Sequence, residues 1–202
     1  MNSLIGKIRR ALKIEKPIVD ESNLHLIEAF PAQVREDVIT VLSGLPFDPH
    51  SYQRNCYSVK VSGEQLIIPY RVYHEIPKIR SAQLTASQNE LLQCILTRHS
   101  DGLVRQQSLE RIIRSKRPWV PAYVVQLAGE YVVEILSVIE QNLNSLDDKI
   151  YSEFLTENRE FFSATAQRID SYWDCYYREM QREGYPGFRV LRYFRDVADK
   201  DK

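Results

Sequence analysis

Residues 93–143 constrain this chain more than any other stretch, and within them the run His99-Ser100-Asp101-Gly102-Leu103-Val104-Arg105. Leu91, Leu92, Ile95 and Leu96 recur at helical spacing before it, and Leu103, Val104, Leu109, Ile112 and Ile113 after it. Apolar residues at that period line one side of a helix. Asp101-Gly102 interrupts them, so the run is expected to be the turn between two packed antiparallel helices. That is a statement about architecture; no catalytic signature accompanies it.

Residues 122–143 form the most apolar segment. Gln126, Glu130, Glu134, Ser137 and Gln141 step through it by three or four, which predicts one central buried helix with a single narrow polar stripe. Pro118 and Pro121 precede it, the latter suited to a first helical turn. Ser87 and Glu90 have the spacing of a capping box for the first helix of the pair, with Thr85 as a competing cap. Ser145 and Asp148 look like the next cap. Ile150, Phe154, Phe161, Phe162, Ile169, Trp173, Tyr176 and Met180 then follow at helical spacing, as one long helix or as two with a break near Glu157-Asn158. Gly184 suits the end of that run and Pro186 a stop. Phe188 to Val197 reads as a final short helix.

Upstream, the period changes. Asn55, Tyr57, Val59 and Val61 alternate with Cys56, Ser58 and Lys60, and after Ser62-Gly63-Glu64 the even positions Leu66, Ile68, Tyr70 and Val72 are apolar. This predicts a β-hairpin over about 54–73 with a tight glycine-containing turn. Pro69 cannot donate to a ladder and marks an edge. A lone hairpin is marginal in water, so it must pack on helices. Leu24 to Phe30 is a short helix candidate. Pro31 opens the next, with Val34, Val38, Ile39 and Leu42 as its buried stripe. In residues 1–16, Leu4, Ile5, Ile8 and Leu12 share a helical face, with Lys7, Arg9, Arg10 and Lys13 elsewhere. Such a helix can lie on an anionic membrane or in a groove. Packing on its own domain, or fraying, is the expectation here.

The expected fold is therefore mostly α, a helical-hairpin core carrying a small β-hairpin. Residues 1–20 form an N-terminal amphipathic helix or tail and 21–202 a single domain. Only 7 glycines in 202 residues fit that reading. Lys+Arg and Asp+Glu balance at 27 each, so no global field draws the chain to nucleic acid or membrane. Cys56, Cys94 and Cys175 are widely separated and odd in number, which argues against a disulfide framework. No secretory signal and no membrane-length apolar run is evident, and a reduced cytoplasmic protein is expected.

Asp101, Val104, Arg105, Ser108, Leu109 and Ile112 resemble the second helix of a HEAT-type repeat, whose pattern has an Asp in the turn, then Val-Arg, then a small residue and a Leu. A second copy lies 29 residues on, at Glu130, Val133, Glu134 and Ser137, with Glu in place of both the Asp and the Arg. The resemblance covers about residues 93–143. It implies stacked helix pairs that present a surface to a macromolecule.

The chemistry-bearing residues are sparse. His25, His50, His74 and His99 show no metal-ligand spacing, the glycines form no phosphate loop, and no cofactor is implied. His99-Ser100-Asp101 has the residue types of a hydrolase triad, but adjacent residues at a helix end cannot relay hydrogen bonds in that order. Glu130 and Glu134, one turn apart, read as acid/base candidates, as a polar stripe, or as ion-pair partners for arginines of the preceding helix. Arg98, Arg105, Arg111, Arg114, Lys116 and Arg117 form a basic cluster with Trp119 beside it, able to grip phosphates and stack a base. They read equally as a solvated helix end, where cations are favoured. Tyr172, Trp173, Tyr176 and Tyr177 form the densest aromatic patch and cannot all face one core, so some of them are expected to be exposed or at an interface. The expectation is non-enzymatic binding to another protein, as an adaptor or an inhibitor or immunity-type module. The residues carrying it are Arg111, Arg114, Lys116, Arg117, Trp119 and the aromatic patch, and a homo-oligomer fits too. The alternative is nucleic-acid binding through the basic cluster 98–117.

Overall fold

The period-two segment forms strands β1 (Cys56–Val61) and β2 (Glu64–Pro69), paired antiparallel with Tyr57 opposite Ile68 and Val59 opposite Leu66. A computed structural model describes residues 18–48, 50, 55–76 and 83–200; the expected N-terminal helix over residues 1–16 lies outside them. Ser62 (φ 53°) and Gly63 (φ 83°) are both left-handed, the turn that matches strand twist in a two-residue hairpin. Tyr57, Val59, Val61, Leu66 and Ile68 share the buried face.

The hairpin is held from both sides in sequence: β2 packs on residues 21–29 upstream, and β1 is clasped from far down the chain. Asn158 Nδ2 donates to Lys60 O (2.8 Å) and its Oδ1 accepts from Lys60 N (2.7 Å). Glu157 Oε1 accepts from Gly63 N (2.8 Å). The same Asn158, at φ −124° and ψ 46°, separates α6 (Asp148–Glu157) from α7 (Arg159–Tyr176), so the break near Glu157-Asn158 is real and is also the hairpin's clasp. Beyond β2, Val72 N donates to Arg98 O and Ser100 N to Val72 O (both 2.9 Å), laying this segment parallel on the turn at residues 98–100.

Ahead of the hairpin, the candidate helix at Leu24–Phe30 is a 3₁₀ helix, Glu21–Ala29, capped by Asp20. Helix α1 (Arg35–Ser43) follows a short 3₁₀ turn and buries Val38, Val41 and Leu42. Helices α2 (Ala86–Leu96) and α3 (Gly102–Ile112) form the predicted antiparallel pair, and Asp101 caps α3 by accepting from Leu103 N (2.8 Å). The capping box of α2 is Thr85 with Gln88, not Ser87 with Glu90; the Glu90 carboxylate instead takes the Ser115 hydroxyl.

Residues 122–143 are two helices rather than one, α4 (Val120–Ala128) and α5 (Val133–Gln141). Gly129 closes α4, where a Cβ would stand 3.0 Å from Arg168 Nε and 3.1 Å from Thr165 Cγ2, so glycine lets the turn lie close to these α7 side chains without their shifting. Arg105 reaches Glu130 just ahead of α5, and Arg114 Nε reaches Asn142 Oδ1 (3.1 Å) just past its end. The packed helices α3 and α5 thus run parallel, and α2–α3 and α4–α5 are two helical hairpins set side by side.

Helix α7 ends at Tyr176 with Tyr177 as its cap; Gly184, expected to end it, belongs to a separate 3₁₀ turn, Arg182–Gly184. Helix α8 (Pro186–Asp199) starts at the proline, two residues before Phe188. It buries Val190, Leu191, Phe194 and Val197 against α5, α6 and α7. The fold is mostly helical with a small two-stranded sheet, the expected class. Among the described residues no helix is long and apolar enough to cross a membrane.

Candidate functional site

The turn between α4 and α5 has two faces, set by two consecutive residues. Glu130 points inward and is 5% exposed; Tyr131 points outward and is 52% exposed.

Glu130 joins the parts of this end of the molecule. Arg98, at the end of α2 and 1% exposed, pairs through Nη2 with its Oε1. Arg71 Nη1, from the segment laid on the α2–α3 turn, lies 2.9 Å from the same oxygen, and Arg105 Nε lies 2.9 Å from Oε2. Arg105 Nη1 also donates to His99 O and Ser100 O (2.9 Å each), satisfying carbonyls left open where α2 ends. Burial works to raise the Glu130 pKa, but the guanidinium groups of Arg98, Arg71 and Arg105 outweigh it and hold the carboxyl below its ordinary range. Burial pulls Arg105 down, against Glu130. A carboxylate so held stays ionised.

Glu134 is exposed in the first turn of α5, so the two glutamates are not brought together as an acid/base pair. Glu130 serves instead as the ion-pair partner of upstream arginines. Arg98 and Arg105 thereby leave the expected phosphate-gripping cluster, because both are buried on Glu130. His99 Nδ1 accepts from Asp101 N (3.0 Å), so its Nε2 carries the proton toward His74 O (2.9 Å), a structural use with no triad in it. His74 Nε2 meets Asn23 Oδ1 (2.8 Å), and burial lowers the His74 pKa to about 4. Among the described residues no group of His, Cys, Asp and Glu is placed to hold a metal ion.

On the outer face Tyr131 meets Tyr172 and Tyr176, which sit one turn apart on α7. Ring centroids are 6.0 Å from Tyr131 to each, and 6.1 Å between the α7 pair. Tyr176 is 66% exposed. Tyr177 Oη donates to Tyr131 O (2.7 Å), and Arg168 Nη2 donates to Gln126 Oε1 (3.2 Å) and Thr165 Oγ1 (3.0 Å), so turn and helix are fixed to each other. The aromatic patch therefore divides. Tyr172 and Tyr176 join Tyr131 outside. Tyr177 stacks on buried Tyr185 (5.4 Å), and Trp173 packs edge-on against Phe188 (5.7 Å), donates from Nε1 to Met180 O (3.0 Å) and lies under Arg182 (4.6 Å).

The remaining basic residues lie at the opposite end of the hairpins. Arg111, Arg114, Lys116 and Arg117 are exposed. Arg111 Nη1 donates to Gln93 Oε1 (3.2 Å), and Arg117 lies 4.0 Å from Glu90. Trp119, expected beside them as a stacking ring, is a correction. It is 2% exposed, because it leads into α4, every residue of which is buried.

Sequence reasoning missed Arg71, Tyr131 and Arg168. Tyr131 had one signal, a tyrosine two residues after a glycine in an apolar run. The two arginines had none, because their partners lie tens of residues away. Against known proteins, the chain matches no family model, no curated protein and no solved structure.

Proposed function

We propose that this chain is a protein-binding module whose contact surface is the face built by Tyr131, Tyr172 and Tyr176. The observation that carries the reading is that triad. Three tyrosine rings stand together on rigid elements, two of them more than half exposed, and their hydroxyls make no hydrogen bond to any described residue. Tyrosine offers a large apolar area, a polar tip and little rotamer entropy to lose, which is why it concentrates in binding hot spots. The side-by-side hairpins α2–α3 and α4–α5, with α3 and α5 parallel, support a HEAT-like reading of the core. An adaptor, or an inhibitor of the immunity type, in a reducing cytoplasm fits both features. The alternative, nucleic acid held at the basic end, has four exposed cations in its favour, but Trp119, the ring beside them in sequence, is buried and unable to stack a base.

The test is a pull-down from native lysate with and without nuclease, run with the wild type, a Tyr131→Ala/Tyr176→Ala variant and an Arg114→Ala/Arg117→Ala variant. The expected result is a stoichiometric protein that survives nuclease, is lost with the tyrosine variant and is kept by the arginine variant. Nucleic acid that is released by salt and lost with the arginine variant would instead establish the alternative.

A further inference from the structure

Directly behind the tyrosine face, charge does not balance. Arg71, Arg98 and Arg105 share the single carboxylate of Glu130. Arg168, four residues before Tyr172 on α7, is held only by neutral partners, Gln126 and Thr165. Four guanidinium groups thus converge on the α4–α5 turn against one acid. Nε and Nη1 of Arg98 and Nε of Arg105 and Arg168 are buried without a hydrogen-bond partner, against one such acceptor, Glu130 Oε2. Buried cations are stable when paired, and an excess of this size is what a second anion would relieve.

Two of the four reach the surface. The Arg71 side chain is 29% exposed and Arg168 is half-buried. They flank the turn that displays Tyr131, Arg71 through Glu130 and Arg168 against Gly129. Of the acids near in sequence to the turn and to Arg168, Glu134 is exposed in the first turn of α5, while Asp170 and Asp174 on α7 are paired with Arg182 (2.7 Å) and Arg178 (2.8 Å). Counting Glu134, the cations still exceed the acids.

We propose that the element docking on the tyrosine face is an acidic segment of a partner protein, with carboxylates entering beside Arg71 and Arg168 while apolar side chains cover the rings. This rests on the tyrosine-face reading and names the chemistry of its partner. Two half-buried cations at the turn that carries Tyr131 receive single carboxylates in fixed positions; a nucleic-acid backbone calls for a row of exposed ones.

The test is fluorescence anisotropy with three labelled probes of equal length: a peptide of alternating Glu and Leu, its Gln/Leu twin, and oligo(dT). The Glu peptide is expected to bind about tenfold tighter than the twin, the size of one close charge pair. An Arg71→Gln/Arg168→Gln variant is expected to close that gap, and Arg71→Lys/Arg168→Lys to keep part of it. Should the Gln variant fail to fold, raised salt must close the gap in the wild type. A gap that persists in high salt, or that survives the Gln substitutions, overturns the proposal. Equal binding of both peptides, lost with Tyr131→Ala/Tyr176→Ala, overturns the acidic partner and leaves the tyrosine reading standing. Failure to bind either peptide overturns it, as does tighter binding of oligo(dT). A dimer by light scattering that the tyrosine variant dissolves would assign the face to self-association instead.

Discussion

At one end of the paired hairpins Arg98 and Arg105 are buried and Tyr131 is exposed; at the other, Arg111, Arg114 and Arg117 are exposed and Trp119 is buried. The same residue types exchange places over the length of two short helices. The difference lies in what each backbone end offers. Where α2 ends, open carbonyls at His99 and Ser100 and the Glu130 carboxylate give guanidinium groups a buried set of acceptors. Where α3 ends, the acceptors are the side chains of buried Gln93 and of half-buried Asn142 and Glu90, and each cation meets only one of them, so the cations stay in water. The rings follow the space left over. Trp119 enters an end closed by apolar α4, and Tyr131 is turned out because its neighbour has taken the inside.

The strongest way to break this comparison is Glu130→Gln, which leaves three guanidinium groups with no charged partner. A loss of about 3–5 kcal/mol is expected, as for other buried ion pairs stripped of one member, read from urea midpoints. A loss under about 1 kcal/mol would show that the arginine end does not depend on its carboxylate. The folded-state pKa of Glu130 is depressed, so its contribution is present above the ordinary carboxylate pKa and is lost as pH falls through the folded value. The variant should show a flatter acid limb.

Trp119→Ala sharpens the other end. Truncating a fully buried ring costs about 3–5 kcal/mol, while Tyr176→Ala is expected within about 0.5 kcal/mol of the wild type. Thermal melts of the two, side by side, check whether the exchange of ring and cation is energetic as well as geometric.

His74 gives a smaller, pH-confined effect. Its folded pKa of about 4 lies below the unfolded value near 6.5, so the unfolded chain takes up the proton first. Stability is complete above pH 6.5 and falls toward pH 4 with a slope approaching about 1.4 kcal/mol per pH unit. Denaturation of a His74→Gln variant across that window should lack this component; an unchanged slope would assign it to other groups.

The least effect is expected for Arg114→Ala and Arg117→Ala, each within about 0.5 kcal/mol, because exposed cations with weak partners add little. A larger loss for either would mean that the basic end is structural after all.

Local pattern made much of this legible. The hairpin was readable because alternation from Tyr57 to Val72 has one solution, and the α2–α3 turn because Asp101-Gly102 interrupts two apolar stripes. The break at Asn158 was readable as one of two options. Residues 122–143 misled, because Gln126, Glu130, Glu134 and Ser137 keep helical spacing across the turn that separates α4 from α5. What decides that turn is the meeting of Glu130 with Arg71, Arg98 and Arg105 and of Gly129 with Arg168, and spacing along one segment carries none of it. The triad was half legible. Tyr172 and Tyr176 announce themselves in a dense run, while Tyr131 acquires its meaning from α7 alone.

The clasp of Asn158 on Lys60 sets an order of events during synthesis. The hairpin leaves the ribosome long before its holder, which follows 98 residues later. At about 5–20 residues per second that is a wait of roughly 5–20 s. Until then the paired strands have the upstream 3₁₀ helix Glu21–Ala29 against β2 but lack the asparagine that grips one edge and helix α6, which packs on β1; a hairpin without such support is barely stable. The hairpin therefore starts with support on its β2 side alone, and the β1 edge is closed only when the C-terminal helices arrive.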